Sequence, residues 1–232
     1  MSSIDKYYKL AGDAFQNVLR LHFDSIQMYE LGSYPTAYQL SLLASEELGK
    51  ALLLHEYCWQ YYANGWREND EYDRPYLVSI FSNHLHKQKY FAYMANDFLN
   101  NNPYLKKQSA LLYSLGKGLG EDAKQRATFV GLLKSGRKVN LNARTTTPLV
   151  FATEAKARKQ ISLNNDFILV YSEGFLKGVF GVDVYQIAVQ MDKELVEMLQ
   201  TLWTDMGRDA RRVLDQLADK PYVANPLEDW EE

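Results

Sequence analysis

The stretch from Ser33 to Tyr62 has the pattern of one long helix with a carboxylate in its apolar face. Ser33 is a favourable N-cap, and Pro35 falls in the first turn, where a missing N–H costs little. At helical spacing, the apolar face collects Leu40, Leu43, Ala44, Ala51, Leu54 and Cys58. Glu47 falls at the centre of that face. Because an unpaired buried charge is strongly destabilising, Glu47 needs a partner from elsewhere in the chain.

The other ionisable residues of this region can be sorted by their helical position. Lys50 lies at the edge of the apolar face, and Glu46 lies further toward the polar side. In the next predicted helix, His84 falls at the centre of the apolar face and is expected to point inward. His86 falls on the opposite face, and Lys87 flanks the apolar face one turn after His84. Antiparallel packing of the two helices would gather the inward-pointing residues into one polar cluster.

Two interpretations of such a cluster stay open from the residues alone. In the first, Glu47 raises the pKa of His84, which becomes a general acid or base near neutral pH. Lys50 and Lys87 would then hold a phosphate or stabilise developing negative charge. In the second, the cluster is a buried polar network that fixes helix register. A di-metal carboxylate bundle would need Glu-x-x-His pairs, and no Glu of this chain has a His three residues later, so we expect no metal or cofactor.

Helical periodicity dominates the chain, and the predicted fold class is all-α. We expect a bundle of four to five long helices with a short extended or β segment near 166–171. The bundle core is predicted over residues 1–135 and a connector over 136–182. A long C-terminal helix over 183–218 would pack on the bundle, and an acidic tail over 219–232 would be frayed.

The helices have identifiable starts and stops. The first is predicted over 3–31, and its short GSYP link to the second implies an αα-hairpin. The third opens at Arg74-Pro75 and ends near Asn100. A fourth region carries glycines that favour a kink or a break, namely Gly116, Gly118 and Gly120. This GKGLG run lacks the full phosphate-loop pattern. Within the connector, 153–160 is predicted to be a short helix.

Two further features have ordinary structural explanations beside functional ones. His22 lies on or beside the apolar face of the first helix, and we expect a core-edge histidine that is hydrogen-bonded to a neighbour. Arg137, Lys138 and Arg144 lie in a basic, irregular segment and could meet phosphate groups. A solvated loop is the more usual meaning of such a segment.

Composition limits the classes of partner and compartment. The 232 residues carry a formal net charge of -3, which argues against a strongly basic nucleic-acid surface but leaves room for a local basic cleft. The single cysteine, Cys58, excludes intramolecular disulfides and fits a reducing compartment. The sequence shows no leader peptide and no apolar run of about 18 residues. We therefore expect a soluble cytoplasmic protein that does not bind membranes.

The two segments that supply the cluster also resemble a known family. SYPTAYQLSLLASEELGKALLL is similar to the signature of the AbiV family of bacterial abortive-infection proteins, in which a small-residue helix carries E-E-x-G-K. FSNHLHK resembles the F-x-x-H-x-x-K element that follows in that family, matched here by Phe81, His84 and Lys87. The two motifs together are fairly specific.

A third stretch, KQISLNNDF, resembles the family's S/G-L-Y-V-D segment. Ser162, Leu163 and Asp166 match it, whereas Asn164 and Asn165 replace the usual Tyr-Val. The resemblance covers about the first 170 residues of the chain.

The resemblance implies a fold and a biological setting. AbiV-like proteins belong to the HEPN superfamily of helical bundles, many of which are dimeric toxin or antiphage ribonucleases. Many of these place an Arg and a His in an Arg-x4-6-His motif, which is absent here because Arg74 and His84 are too far apart. The family pattern instead offers Glu46, Glu47, Lys50, His84 and Lys87. The implied role is phage defence through RNA or translation, and the implied oligomer is a homodimer.

Competing functions follow from this combination. In the first, the protein is a metal-independent endoribonuclease with His84 as acid or base, Lys50 and Lys87 as charge stabilisers and Glu47 as the orienting residue. In the second, it is a non-enzymatic protein that binds a phage protein or a ribosome-associated component, and the cluster only supports the fold. A third, weaker option is a small-nucleotide domain that holds a phosphate on Lys50 and Lys87.

Overall fold

A computed structural model describes residues 3–63, 70–101, 109–132 and 145–176. In these ranges the chain is almost entirely helical, which confirms the predicted all-α class. The helices are α1 Ser3–Glu30, α2 Tyr34–Ala63, α3 Asp70–Ser82, α4 His84–Asn101, α5 Ser109–Gly116, α6 Gly120–Thr128, α7 Pro148–Phe151 and α8 Glu154–Leu176. Two-residue strands, β1 Gly131–Leu132 and β2 Thr145–Thr146, pair antiparallel. Searched over the described residues, no helix has the length and apolarity that a membrane span requires.

The predicted hairpin of α1 and α2 is confirmed within about one residue at each end. Gly32 adopts a positive φ of 74°, a conformation that glycine reaches without steric cost. The Gly32 N–H bonds to the Tyr29 carbonyl at 2.9 Å and the Ser33 N–H to the Met28 carbonyl at 2.8 Å, the pattern of a Schellman motif. The Ser33 carbonyl then accepts the first bond of α2 from Ala37 at 2.9 Å. The chain therefore reverses tightly, and the two long helices pack side by side.

The central element of the fold is α2, which contacts α1, α3, α4, α6, α7 and α8. Its residues 51–54 are four consecutive positions that are all buried. At about 100° per residue, four consecutive positions cover most of the helix circumference. Leu40 and Leu43, members of the apolar face predicted from periodicity, are only half-buried. Because α2 is enclosed by other helices, hydrophobic periodicity does not identify one inward face.

The prediction of one long third helix was wrong, because the chain forms α3 and α4 with Asn83 between them. The side-chain oxygen of Asn83 accepts the backbone N–H of His86 at 3.0 Å, and its carbonyl accepts that of Lys87 at 3.3 Å. Asn83 is therefore the N-cap of α4. The cap makes His84 the first residue of a new helix, so its direction cannot be extrapolated from α3.

The predicted break in the fourth helical region is confirmed between α5 and α6. Gly118 adopts a positive φ of 74°. Its N–H bonds to the Leu115 carbonyl at 2.8 Å, and the Leu119 N–H bonds to the Ser114 carbonyl at 3.0 Å. A Cβ at Gly118 would overlap the side chain of Leu85 on α4. This glycine therefore both ends α5 and lets the turn approach the beginning of α4.

The predicted extended segment near 166–171 was wrong, because these residues lie inside α8, which continues the short helix predicted over 153–160. Residues 160–168 are all buried, and the apolar run that begins at Phe167 continues this enclosed helix rather than forming a strand. Although it lies in the predicted connector, α8 packs against α1 and α2. The predicted helix over 183–218, the tail, Arg137, Lys138 and Arg144 lie outside the described residues.

Polar side chains form a buried layer between α2 and α8. The Ser45 hydroxyl donates to Asn164 Oδ1 at 2.7 Å, and Gln160 Nε2 donates to Ser45 Oγ at 2.8 Å. Asn164 Nδ2 donates to the Ser41 carbonyl at 2.6 Å and to its hydroxyl at 3.0 Å. Asn164 is thus bonded to α2 through both atoms of its side-chain amide. Such directional bonds fix the register of the two helices more narrowly than apolar contacts do.

His22 extends this layer to α1. It is fully buried, and its Nε2 lies 3.0 Å from Asn165 Oδ1, so the expected bonded histidine is confirmed. Burial lowers the pKa of His22 to about 4, and the bond to Asn165 opposes this shift only in part. His22 is therefore neutral at neutral pH.

The helices α2 and α4 approach each other closely at Gly49. A Cβ at this position would overlap the backbone carbonyl of Lys87. The glycine of the EELGK segment is therefore required by the proximity of the α4 backbone, although glycine inside a helix costs about 1 kcal/mol relative to alanine.

We expect Gly49→Ala to lower the free energy of unfolding by about 1–3 kcal/mol, because the two backbones must separate. Gly116→Ala is the matched control, since an added Cβ there would lie 3.8 Å from the Ala92 Cβ, an ordinary contact. It should be neutral or slightly stabilising. Urea denaturation measures the free energy of unfolding of both variants. Equal changes in the two would contradict the assigned role of Gly49.

We also expect the protein to lose stability as the pH falls from 6.5 to 4. The pKa of His22 is lower in the folded state than its ordinary value of 6.5, so the unfolded chain takes up the proton more readily. This stability is fully present above pH 6.5, and about 2 kcal/mol of it is lost by pH 5. Burial lowers the pKa of His55 to about 4 in the same way.

His22→Gln keeps a polar group at this position but removes its titration. The difference in unfolding free energy between pH 7.5 and pH 5 should shrink by about 2 kcal/mol in this variant. An unchanged difference would show that His22 does not contribute to acid sensitivity.

Candidate functional site

A buried carboxylate on α2, Glu46, is the common acceptor for side chains from two other helices. It is 3% exposed. Its Oε2 lies 2.9 Å from His84 Nδ1, and its Oε1 accepts Gln88 Nε2 at 2.6 Å and Lys124 Nζ at 2.9 Å. These four residues are called the Glu46 cluster below. The cluster joins α2 to the first turns of α4 and to α6.

His84 is the exposed member of the cluster. Its side chain is 57% exposed, whereas the side chain of Glu46 is 4% exposed. An ionised carboxylate can only accept, so Nδ1 carries the proton in this bond and Nε2 is left for a ligand. The same bond fixes the orientation of the ring. The arrangement is thus a solvent-accessible imidazole held from behind by a buried carboxylate.

Lys124 connects the cluster to a second carboxylate. Its Nζ lies 2.7 Å from Glu121 Oε2, and its side chain is 13% exposed. Burial alone would lower the pKa of Lys124, but its bonds to Glu121 and Glu46 outweigh burial and raise that pKa above its usual value. The hydrogen bonds from Lys124 and Gln125 lower the pKa of Glu121. Lys124 is therefore a firmly charged bridge between two carboxylates.

The remaining predicted residues surround this cluster. Lys50 Nζ bonds to both oxygens of Glu47, at 2.8 and 3.1 Å, and both side chains are about one-fifth exposed. Lys87 is 4% exposed, and burial lowers its pKa despite the opposing charges of Glu47 and Glu46. All five predicted site residues thus lie in one region, but as two ion-paired groups with a buried lysine.

The predicted burial of the two adjacent glutamates was reversed. Glu46, expected toward the polar side, is buried and meets His84. Glu47, expected at the centre of the buried face, is half-buried and pairs with its own neighbour, Lys50. The physical reason is the enclosure of α2, in which α4 and α6 cover the side that periodicity assigned to solvent.

The predicted directions of the two histidines were also reversed. His84, expected to point inward, is exposed. His86, expected to point outward, is half-buried; its Nδ1 lies 2.6 Å from Ser79 Oγ, and its ring packs edge-on against Tyr76. The N-cap at Asn83 changes the helical phase at this point, which explains the reversal.

Sequence reasoning missed Gln88, Lys124 and Glu121. Gln88 lies four residues after His84, so an i, i+4 search from that histidine would have found it. Glu121 and Asp122 are acidic residues just after a glycine-rich break, a signal for a helix N-terminus. No sequence signal places Lys124 against Glu46, because they are 78 residues apart.

The cluster has the chemistry of a proton-transfer site. A histidine whose Nδ1 is held by a carboxylate can take a proton at Nε2 and return it, while the carboxylate stabilises the imidazolium. Within the described ranges, no group of three His, Cys, Asp or Glu side chains has the arrangement of a metal site. The arrangement itself is an imidazole paired with a carboxylate inside a network of charged side chains.

We expect Glu46→Ala to destabilise the protein by about 2–4 kcal/mol, because three donors lose their acceptor and Lys124 keeps only one carboxylate. Glu47→Ala is the matched control on the next residue. It removes one partly exposed pair and should cost less than about 1 kcal/mol. Thermal and urea denaturation measure the stability of both variants. A larger loss of stability in Glu47→Ala than in Glu46→Ala would contradict the assignment of Glu46 as the structural centre.

One comparison with known proteins identifies a family. The model of the AbiV family of HEPN domains matches residues 6–168, well over half of the chain, and this range contains the whole Glu46 cluster. The searches of curated proteins and of solved structures return no match. The chain therefore belongs to the AbiV family of HEPN-type abortive-infection proteins.

Proposed function

We propose that the protein is an antiphage effector that cleaves RNA, with the His84–Glu46 dyad as its acid–base centre. The observation that carries the proposal is the 2.9 Å contact between an exposed imidazole and a buried carboxylate. Two elements set this pair in place, the N-cap at the beginning of α4 and the close approach of α4 to α2. A histidine with only a packing role has no need of an exposed ring held in one orientation.

The proposed reaction uses the 2′-hydroxyl of RNA as nucleophile. His84 Nε2 takes the proton of the 2′-OH, whose oxygen attacks the adjacent phosphorus and forms a 2′,3′-cyclic phosphate. The bond to the 5′-oxygen breaks, and that oxygen takes up a proton. His84 Nε2 gives back the proton that it took from the 2′-OH, directly or through water, so the imidazole returns to its starting state. Glu46 holds the imidazole and stabilises its charged form.

The lysines act mainly on the carboxylates in this proposal. Lys124 bridges Glu46 and Glu121, so it fixes the position of Glu46 behind the imidazole. Lys50 reaches a phosphate only after leaving Glu47, a partly exposed pair that costs little to break. Lys87 is buried against Gly49 and supports the helix crossing. Charge stabilisation of the phosphorane is therefore assigned to Lys50 rather than to Lys87.

The alternative is a non-enzymatic effector that binds a phage protein or a ribosome-associated component. One observation favours it. Lys50 and Lys124 are already paired with carboxylates, and Lys87 is buried, so none of these three lysines is ready to receive a phosphate. In this version the Glu46 cluster serves the fold alone.

The ribonuclease proposal is tested with purified protein, total RNA and tRNA. We expect His84→Ala to lower the cleavage rate by about 10²- to 10⁴-fold, the usual contribution of a general acid or base. His86→Ala is the matched control two residues away and should cleave as the wild type does, because its ring faces Ser79 and Tyr76. Equal cleavage by all three proteins, or none by the wild type, would refute the proposal.

Phage protection separates the two functions. We expect His84→Ala to abolish protection of cells from phage while its melting temperature stays within a few degrees of the wild type, since the side chain is 57% exposed. A binder predicts that protection falls only in proportion to lost stability. Full protection by a folded His84→Ala protein would therefore favour the binder.

A further inference from the structure

A surface groove lies between α4 and α5, further along α4 than His84 and Gln88 of the Glu46 cluster. Its volume is about 490 Å³. Ala92 and Leu112 are buried at its floor, whereas Tyr93 and Tyr113 are exposed at its rims. Lys89 and Asn96 also line it. This site is called the α4–α5 groove.

The two tyrosines expose an unusual amount of aromatic surface. Tyr93 is 68% and Tyr113 67% exposed. Gly116 also lines the groove, and a Cβ added there would meet only the Ala92 Cβ, at 3.8 Å. Small residues at the floor leave room for a flat ring between the rims. Exposed aromatic faces of this kind stack with the bases of single-stranded nucleic acids.

Two lysines that pair with no described carboxylate lie at the groove, Lys89 in its lining and Lys117 next to Tyr113. Lys89 is exposed and pairs with no carboxylate among the residues that the structure describes. Lys117 Nζ lies 5.5 Å from the centre of the Tyr113 ring, and in the same described ranges it likewise has no acidic partner. This contrasts with Lys50 and Lys124, which are held by glutamates. The groove therefore offers phosphate-binding groups without the breaking of an ion pair.

The groove also lies on the helix that carries the proposed acid–base centre. Leu85, Lys89 and Tyr93 are exposed and follow one another at intervals of four residues, so they form one surface ridge along α4 that begins next to His84. At 1.5 Å per residue, Ala92 is about 12 Å along the helix from His84. An extended strand of a few nucleotides spans this distance.

We infer that the α4–α5 groove binds unpaired nucleotides of single-stranded RNA, so that an adjacent phosphate reaches His84. Tyr93 and Tyr113 stack on bases, Lys89 and Lys117 contact phosphates, and the Asn96 amide bonds to a base edge or a 2′-hydroxyl. The inference rests on the proposed function for the identity of the ligand. The surface itself can be tested by binding alone.

The test measures binding in a His84→Ala background, so that cleavage does not consume the probe. The probe is a short fluorescein-labelled single-stranded RNA of mixed sequence, followed by fluorescence anisotropy. We expect the pair Tyr93→Ala and Tyr113→Ala to raise the Kd about tenfold or more. The pair Tyr93→Phe and Tyr113→Phe keeps both rings and should bind as the parent does. Melting temperatures of both pairs should match the parent, because both side chains are exposed.

The salt dependence of binding tests the two lysines. Lys89→Gln and Lys117→Gln should each reduce the slope of log K against log salt concentration by about 0.7, the value for one phosphate contact on a single strand. Lys9→Gln on α1, where the lysine pairs with Asp13, is the control and should leave the slope unchanged.

The outcomes separate this inference from the proposed function. Tyrosine-dependent RNA binding without cleavage by the wild type supports the groove and refutes the ribonuclease. If neither tyrosine double variant changes the cleavage rate or the affinity for RNA, the groove is not the RNA site, while the ribonuclease proposal still stands. A parent protein that binds no single-stranded RNA refutes the groove as an RNA site.

Discussion

The burial of the Glu46 carboxylate is the constraint on which the arrangement of α2, α4 and α6 depends. A carboxylate that is 3% exposed is tolerated only when charged and polar donors surround it. His84, Gln88 and Lys124 supply those donors from two other helices. Each donor therefore holds its helix against α2. The same contact that stabilises the fold also orients an imidazole at the surface, so structure and candidate chemistry share one interaction.

The sequence predicts a good part of this fold. The α1–α2 hairpin follows from a glycine C-cap and a serine N-cap, and the break between α5 and α6 follows from three closely spaced glycines. These signals are local, and local backbone chemistry decides them. The proximity of the ionisable residues was also predicted, because they fall at helical spacing on two segments that were expected to pack together.

The directions of individual side chains could not be predicted, for two physical reasons. Periodicity locates a buried face only when another face meets water, and α2 is enclosed by helices on most sides. Periodicity also requires an uninterrupted helix, and Asn83 interrupts the predicted third helix immediately before His84. These two effects explain why the predicted burial of Glu46 and Glu47, and that of His84 and His86, is the reverse of what the structure shows. The contribution of Lys124 depends on tertiary contact across 78 residues, which one sequence does not encode in any local pattern.

The close packing at Gly49 explains why the two motifs have equal internal spacing. Glu46 meets His84, and three residues later Gly49 meets Lys87, so both contacts advance in the same direction along the two helices. One turn of α2 is thus matched to one turn of α4. Inserting or deleting a single residue in either turn would rotate one contact by about 100° relative to the other. The Glu46–Gly49 and His84–Lys87 intervals therefore depend on each other. A change of length in either one would move the Glu46–His84 pair out of register with the Gly49–Lys87 contact between the helices.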